Sequence, residues 1–114
     1  KNKRLRAFTN LDKLAEIFPK HEDDFTKKRI ANGIEADVIY TRKDGLLANA
    51  DDASQLRKTK FVSPDKFQMT ADITIFDNKV ALITYKAKPI GVIIEDQNIA
   101  DALLAIFNLI WNSV

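Results

Sequence analysis

The chain has 114 residues, 18 of them basic and 16 acidic, for a net charge of +2, and it contains no cysteine. That length suits one domain with a single hydrophobic core, and the weak charge argues against a nucleic-acid surface. The missing cysteine excludes disulfides, thiolate metal sites and a cysteine nucleophile, which fits a reducing, cytoplasmic setting.

Apolar runs are broken every few residues by polar or charged ones, so no segment is expected to span a bilayer. The first residue is Lys1, not Met, with no charged-then-apolar leader, and the chain reads as a fragment of a longer protein. Lys1, Lys3, Arg4 and Arg6 surround a strand predicted over 5–8. Those charges suit a solvated linker or strand edge; the sharper alternative is a basic arm toward DNA. Thr9 or Asn10 can cap a helix whose Leu11, Leu14, Ala15 and Phe18 make one apolar stripe, and Pro19 ends it. A second helix follows from about 22. Glu22, Asp23 and Asp24 in its first turn and Lys27, Lys28 and Arg29 in its last suit the helix macrodipole, and Asn32-Gly33 supplies a left-handed stop.

A strand over 34–40 alternates Ile34, Ala36, Val38 and Tyr40 with Glu35, Asp37 and Ile39. Strand, helices and strand make a crossover unit with parallel strands. Over 42–56 the pattern weakens: Asp44-Gly45 marks a turn, and Leu46, Ala50, Ala53 and Leu56 approximate helical spacing behind Asp51 or Asp52 as a cap. A strand over 59–62 begins among Arg57, Lys58 and Lys60, and Ser63-Pro64-Asp65 breaks it. Two strands rich in β-branched residues then flank Asp77-Asn78, a pair that tolerates the positive φ angles of a primed hairpin turn. After a Lys-Ala-Lys-Pro turn come a strand over 90–95 and a long helix starting near Asp96. Its Ile99, Leu103, Ile106, Phe107, Ile110, Trp111 and Val114 recur at spacings of three and four, which places them on one face over a sheet. With the ring in that core, Trp111→Ala should cost about 3 to 5 kcal/mol. The sum is an α/β fold: a mixed sheet of about six strands, parallel in its first half, with an antiparallel hairpin in its second and helices on its faces.

Catalytic chemistry has little to build on. The only histidine, His21, stands beside Glu22 and Asp23 as a solvated loop residue would. One histidine and no cysteine leave zinc sites and Ser-His-Asp arrangements without ligands or a base. The three glycines, at 33, 45 and 91, form no phosphate loop. The carboxylate pairs Asp23-Asp24, Asp51-Asp52 and Glu95-Asp96 stand at helix starts, where capping accounts for them. No catalytic residue, metal ligand or cofactor is expected.

The run Asp72-Ile-Thr-Ile-Phe-Asp-Asn-Lys-Val-Ala-Leu-Ile, then Ile90-Gly-Val-Ile-Ile-Glu-Asp and a helix ending Ile106-Phe-Asn-Leu-Ile-Trp, resembles the effector domain of TrmB-like transcriptional regulators. Lys27-Lys-Arg-Ile-Ala-Asn-Gly-Ile-Glu-Ala-Asp-Val-Ile resembles the same domain's helix, glycine and strand, so the likeness covers most of the chain. It implies a single non-enzymatic effector-sensing and dimerisation domain over 1–114, following an amino-terminal winged helix-turn-helix that binds DNA. Sugars are the effector class in some members, and a homodimer is the implied assembly.

That family's domain is similar to a phospholipase D half-domain, whose signature is His-x-Lys, four residues, then Asp before a hairpin turn. With the aspartate at Asp77, the lysine position holds Asp72 and the histidine position holds Thr70. Phosphodiester transfer needs a histidine nucleophile and cationic groups on the phosphate, so hydrolysis is not expected. A phosphodiesterase half-domain remains one alternative, and a nucleic-acid-binding module built on Arg57, Lys58 and Lys60 another. The degenerate cleft points to Thr70 and Asp72, with Arg29 and Tyr40, as candidate ligand-binding residues. Hydroxyl and carboxylate groups there suit a neutral polyol better than a phosphate.

Overall fold

The computed structural model describes residues 3–18, 21–48 and 53–114. Six strands form one sheet: β1 (Arg4–Asn10), β2 (Glu35–Thr41), β3 (Arg57–Phe61), β4 (Ala71–Phe76), β5 (Lys79–Thr84) and β6 (Gly91–Glu95). Their order across the sheet is β3-β2-β1-β4-β5-β6. The first three run parallel, and β4, β5 and β6 are antiparallel to their neighbours. This is the mixed sheet expected, with β1 at its centre. Arg4 and Arg6 therefore lie neither on a sheet edge nor on a free arm. Arg4 pairs with Glu35 at 2.9 Å and Asp37 at 2.6 Å across the parallel ladder, and Arg6 Nε lies 3.8 Å from Asp37.

One face packs against α3 (Gln97–Trp111). Phe8, Ile39, Ile75 and Val80 from four strands meet Ala100 and Phe107 of the helix in the main core. Asp96 caps α3, its carboxylate accepting from the Ile99 N–H at 2.9 Å, as its place before the apolar run predicts. The buried arc is shifted from the expected one. Ala100 joins Phe107 at its centre, while Ile99, Ile106 and Val114 are 42 to 50 % exposed. Spacing identified a wide apolar arc, but the sheet covers only part of it.

Helices α1 (Leu11–Ile17) and α2 (His21–Ala31) lie over the other face. Asn10, not Thr9, caps α1, accepting from the Lys13 N–H at 3.1 Å. His21 opens α2, so the expected loop position is corrected. Gly33 takes φ +66 as the left-handed stop. In the hairpin only Asp77 has positive φ, at 54°, and Asn78 does not. The weak stretch holds a 3-10 turn over Ala53–Gln55 in place of a short helix. Pro19, Ala50, Asp51 and Asp52 lie outside the described residues. Among the described residues no helix is long and apolar enough to cross a membrane.

Candidate functional site

On the α1–α2 face the sheet carries small side chains. One row across the strands reads Val38, Ala7, Thr74, Ala81. The α3 face carries Phe8, Ile39, Ile75 and Val80 at neighbouring positions. Close packing leaves few voids where side chains are large, but Ala7 and Ala81 cannot reach the helices above. A cavity of about 220 Å3 results, roofed by Leu11 and Leu14 of α1 and by Thr26 and Arg29 of α2.

The next row toward the carboxyl ends of the parallel strands is polar. Tyr40 stands opposite Thr9, and the register places Asp72 on the other side of Thr9. All three line the cavity. Ile83 lies beside Asp72 in the register, and Tyr85, just past the end of β5, reaches this row with its hydroxyl. Its hydroxyl accepts from the Asn10 N–H at 2.8 Å, lies 3.2 Å from Thr9 Oγ1 and donates to Asp72 Oδ1 at 3.0 Å. Burial first, then the Asp72 charge, push the Tyr85 pKa well above its ordinary 10.0. The phenol thus remains a donor. Tyr40 is 2 % exposed and its hydroxyl accepts from the Leu47 N–H at 2.9 Å.

Arg29 and Arg57 stand at the opposite end of the cavity. The Arg29 guanidinium donates to Gln55 O at 2.6 Å, Ile34 O at 2.7 Å and Leu56 O at 3.2 Å. Burial and then the charge of Arg57 lower its pKa. Its donors are directed at carbonyls, so it clamps α2 to the approach of β3.

Of the four candidate residues, Asp72, Arg29 and Tyr40 line this one cavity. Thr70 does not: it is exposed, and its carbonyl accepts from the Tyr85 N–H at 3.5 Å. Thr70 precedes β4, so it lies beyond the cavity's end. Sequence reasoning missed Thr9, Asn10 and Tyr85. Their signal is weak, since a polar residue at a strand end is ordinary and Tyr85 is 76 residues from Thr9. The alanines at 7, 36 and 81 were a usable clue, being small residues on one face of three strands.

The basic residues around β3 divide between the two faces. Arg57 lines the cavity, whereas Lys60, on the α3 face, donates to Trp111 O at 2.8 Å and Val114 O at 3.0 Å. Its ammonium also lies 5.0 Å from the Trp111 ring centroid. Among the described residues no three metal-ligating side chains gather. Comparison with protein-family models, curated proteins and solved structures finds no match.

Proposed function

We propose that this chain is the non-enzymatic, effector-sensing and dimerising domain of a TrmB-like transcriptional regulator. The observation that carries the reading is the cavity beneath α1 and α2, with Tyr40, Thr9 and Asp72 at one end and small side chains along its floor. A concave, mainly apolar pocket with a few convergent polar groups is the usual form of a small-molecule site. The two signature positions supply neither a histidine nucleophile nor a cation for a phosphate: Thr70 and Asp72 stand where a phospholipase D-type enzyme needs histidine and lysine. The direct nucleic-acid reading is weakened because Arg4 is paired with carboxylates and Arg57 and Lys60 serve different faces. DNA contact belongs to the winged helix-turn-helix that the resemblance implies, and the assembly is a homodimer.

Ligand responsiveness tests the reading. In a thermal-shift panel of sugars, alcohols, amines and nucleosides, at least one class should raise the Tm, because a ligand that binds only the folded state stabilises it by mass action. The shift should vanish in Ala7→Leu, which fills the cavity floor. A panel without any shift, together with turnover of a generic phosphodiester that Asp77→Ala abolishes, would replace this reading with the phosphodiesterase one.

A further inference from the structure

The effector reading leaves the ligand's chemistry open, and the floor and ends of the cavity constrain it. Between the polar row of Tyr40, Thr9 and Asp72 and the arginine end lie Ala7, Val38 and Ala81 with the threonines at 59 and 74 between and beside them, and Leu11 and Leu14 above, so most of that floor is alkyl. A sugar carries hydroxyls all round. Laid along that floor it would leave several of them against alkyl groups, and each buried hydroxyl without a partner costs binding. Successive rows are about 7 Å apart along the strands, so one ligand group can reach the polar row while the rest of the molecule covers the alanines.

The polar row is rich in acceptors. The Asp72 carboxylate accepts from Tyr85, and the Tyr85 hydroxyl already uses its proton there. The Tyr40 oxygen accepts from the Leu47 N–H, which leaves its own proton to donate. A ligand group that donates finds the Asp72 carboxylate, whereas one that only accepts has the Tyr40 hydroxyl but lies against that negative charge. At the other end three of the five Arg29 N–H groups are taken by carbonyls, and Arg57 stands beside it, so a cationic head group is directed away from that end and toward Asp72. Size follows from volume: a cavity of about 150 Å3 takes benzene, so about 220 Å3 holds roughly nine or ten non-hydrogen atoms.

We infer that the cavity takes a small, mainly apolar molecule bearing one hydrogen-bond-donating head group, an ammonium or a hydroxyl, which Asp72 receives while the apolar body lies over Ala7 and Ala81. The inference rests on the effector reading and narrows it from a polyol to an amphipathic amine or alcohol. Ammonium is the preferred head, because a charge-assisted bond to a carboxylate is about twice as strong as a neutral one.

The test is an NMR titration of the 15N-labelled chain with 2-phenylethylamine, 2-phenylethanol, toluene and glucose. For a ligand of this size a Kd of about 1 mM is expected for the amine. Amides of Ala7, Val38 and Ala81 should shift, and those of Ala100 and Phe107 across the sheet should not. Asp72→Asn should weaken the amine about tenfold and the alcohol about twofold. Toluene, which lacks the head group, should bind more weakly than either in the unsubstituted protein, a comparison that stands even if the variant fails to fold. Shifts from glucose alone would overturn this ligand class and leave the effector reading standing. Shifts confined to the α3 face, or equal binding of toluene and the amine, would also overturn it. No shift from any of the four, with an empty thermal-shift panel, would remove both.

Discussion

Arg29 and Tyr85 show how the surroundings of a side chain decide its task. Arg29 stands in a basic helix end and is 4 % exposed, yet its bonds run to the carbonyls of 34, 55 and 56. Leu56 takes φ of 54°, a costly conformation for a side chain branched beyond Cβ. Its carbonyl is held there by the Ala36 N–H at 2.9 Å and by Arg29. Tyr85 joins the ends of β1 and β4 through Asn10, Thr9 and Asp72. Its folded pKa lies above the unfolded one. The stability it contributes is therefore complete below about pH 10 and is lost as the pH rises and the unfolded chain ionises. Urea melts between about pH 8 and 11 should show the wild type losing stability more steeply than Tyr85→Phe. The variant should also be about 1 to 2 kcal/mol less stable at the lower pH, since Asp72 and the Asn10 N–H lose a partner. Parallel pH profiles would mean that the phenol is solvated.

At the scale of elements, α3 contributes burial unevenly. Phe107 is 1 % exposed and meets Phe8 edge-on, with centroids 5.2 Å apart. Trp111 stacks on Phe107 at 5.6 Å but is only partly buried, with Lys60 over its outer side. The larger ring lies at the margin of the core and the smaller one at its centre. Phe107→Ala should therefore cost about 3 to 5 kcal/mol and Trp111→Ala roughly 2. Urea melts of the two variants decide the order, and a greater loss for Trp111→Ala would contradict this packing.

At the scale of the molecule, α3 has apolar surface beyond what the sheet covers. It bears one charged residue, Asp101, and its Ile99, Ile106 and Leu109 are 42, 50 and 69 % exposed. Such a stripe is unusual on a surface that meets only water. Two copies can bring it together without like charges opposing, as a twofold dimer requires. Leu109→Glu should raise the dimer dissociation constant at least tenfold in sedimentation equilibrium while leaving the melting of the fold within about 0.5 kcal/mol. A wild type that sediments as a monomer at 100 μM would remove the dimerising half of the proposal.

The sequence by itself determined the α/β class, the parallel first half, the hairpin at Asp77-Asn78, the left-handed Gly33 and the Asp96 cap. Each depends on neighbours a few residues away, through periodicity, turn chemistry or a capping oxygen. That Asp72, Arg29 and Tyr40 line one cavity follows from their places at the ends of elements whose order the sequence implied; whether they hold a ligand is the proposal. Only the tertiary structure decided that β1 is central, that Arg4 and Arg6 face carboxylates, and that part of the α3 arc stays bare. It also decided that Tyr85 reaches Thr9 and that alanines from β1, β2 and β5 share one floor. Those facts depend on strand order and register, which bring together residues as far apart as Arg4 and Glu35, 31 positions, and Thr9 and Tyr85, 76 positions. Local pattern limits which elements form, but which element covers which face is settled by packing.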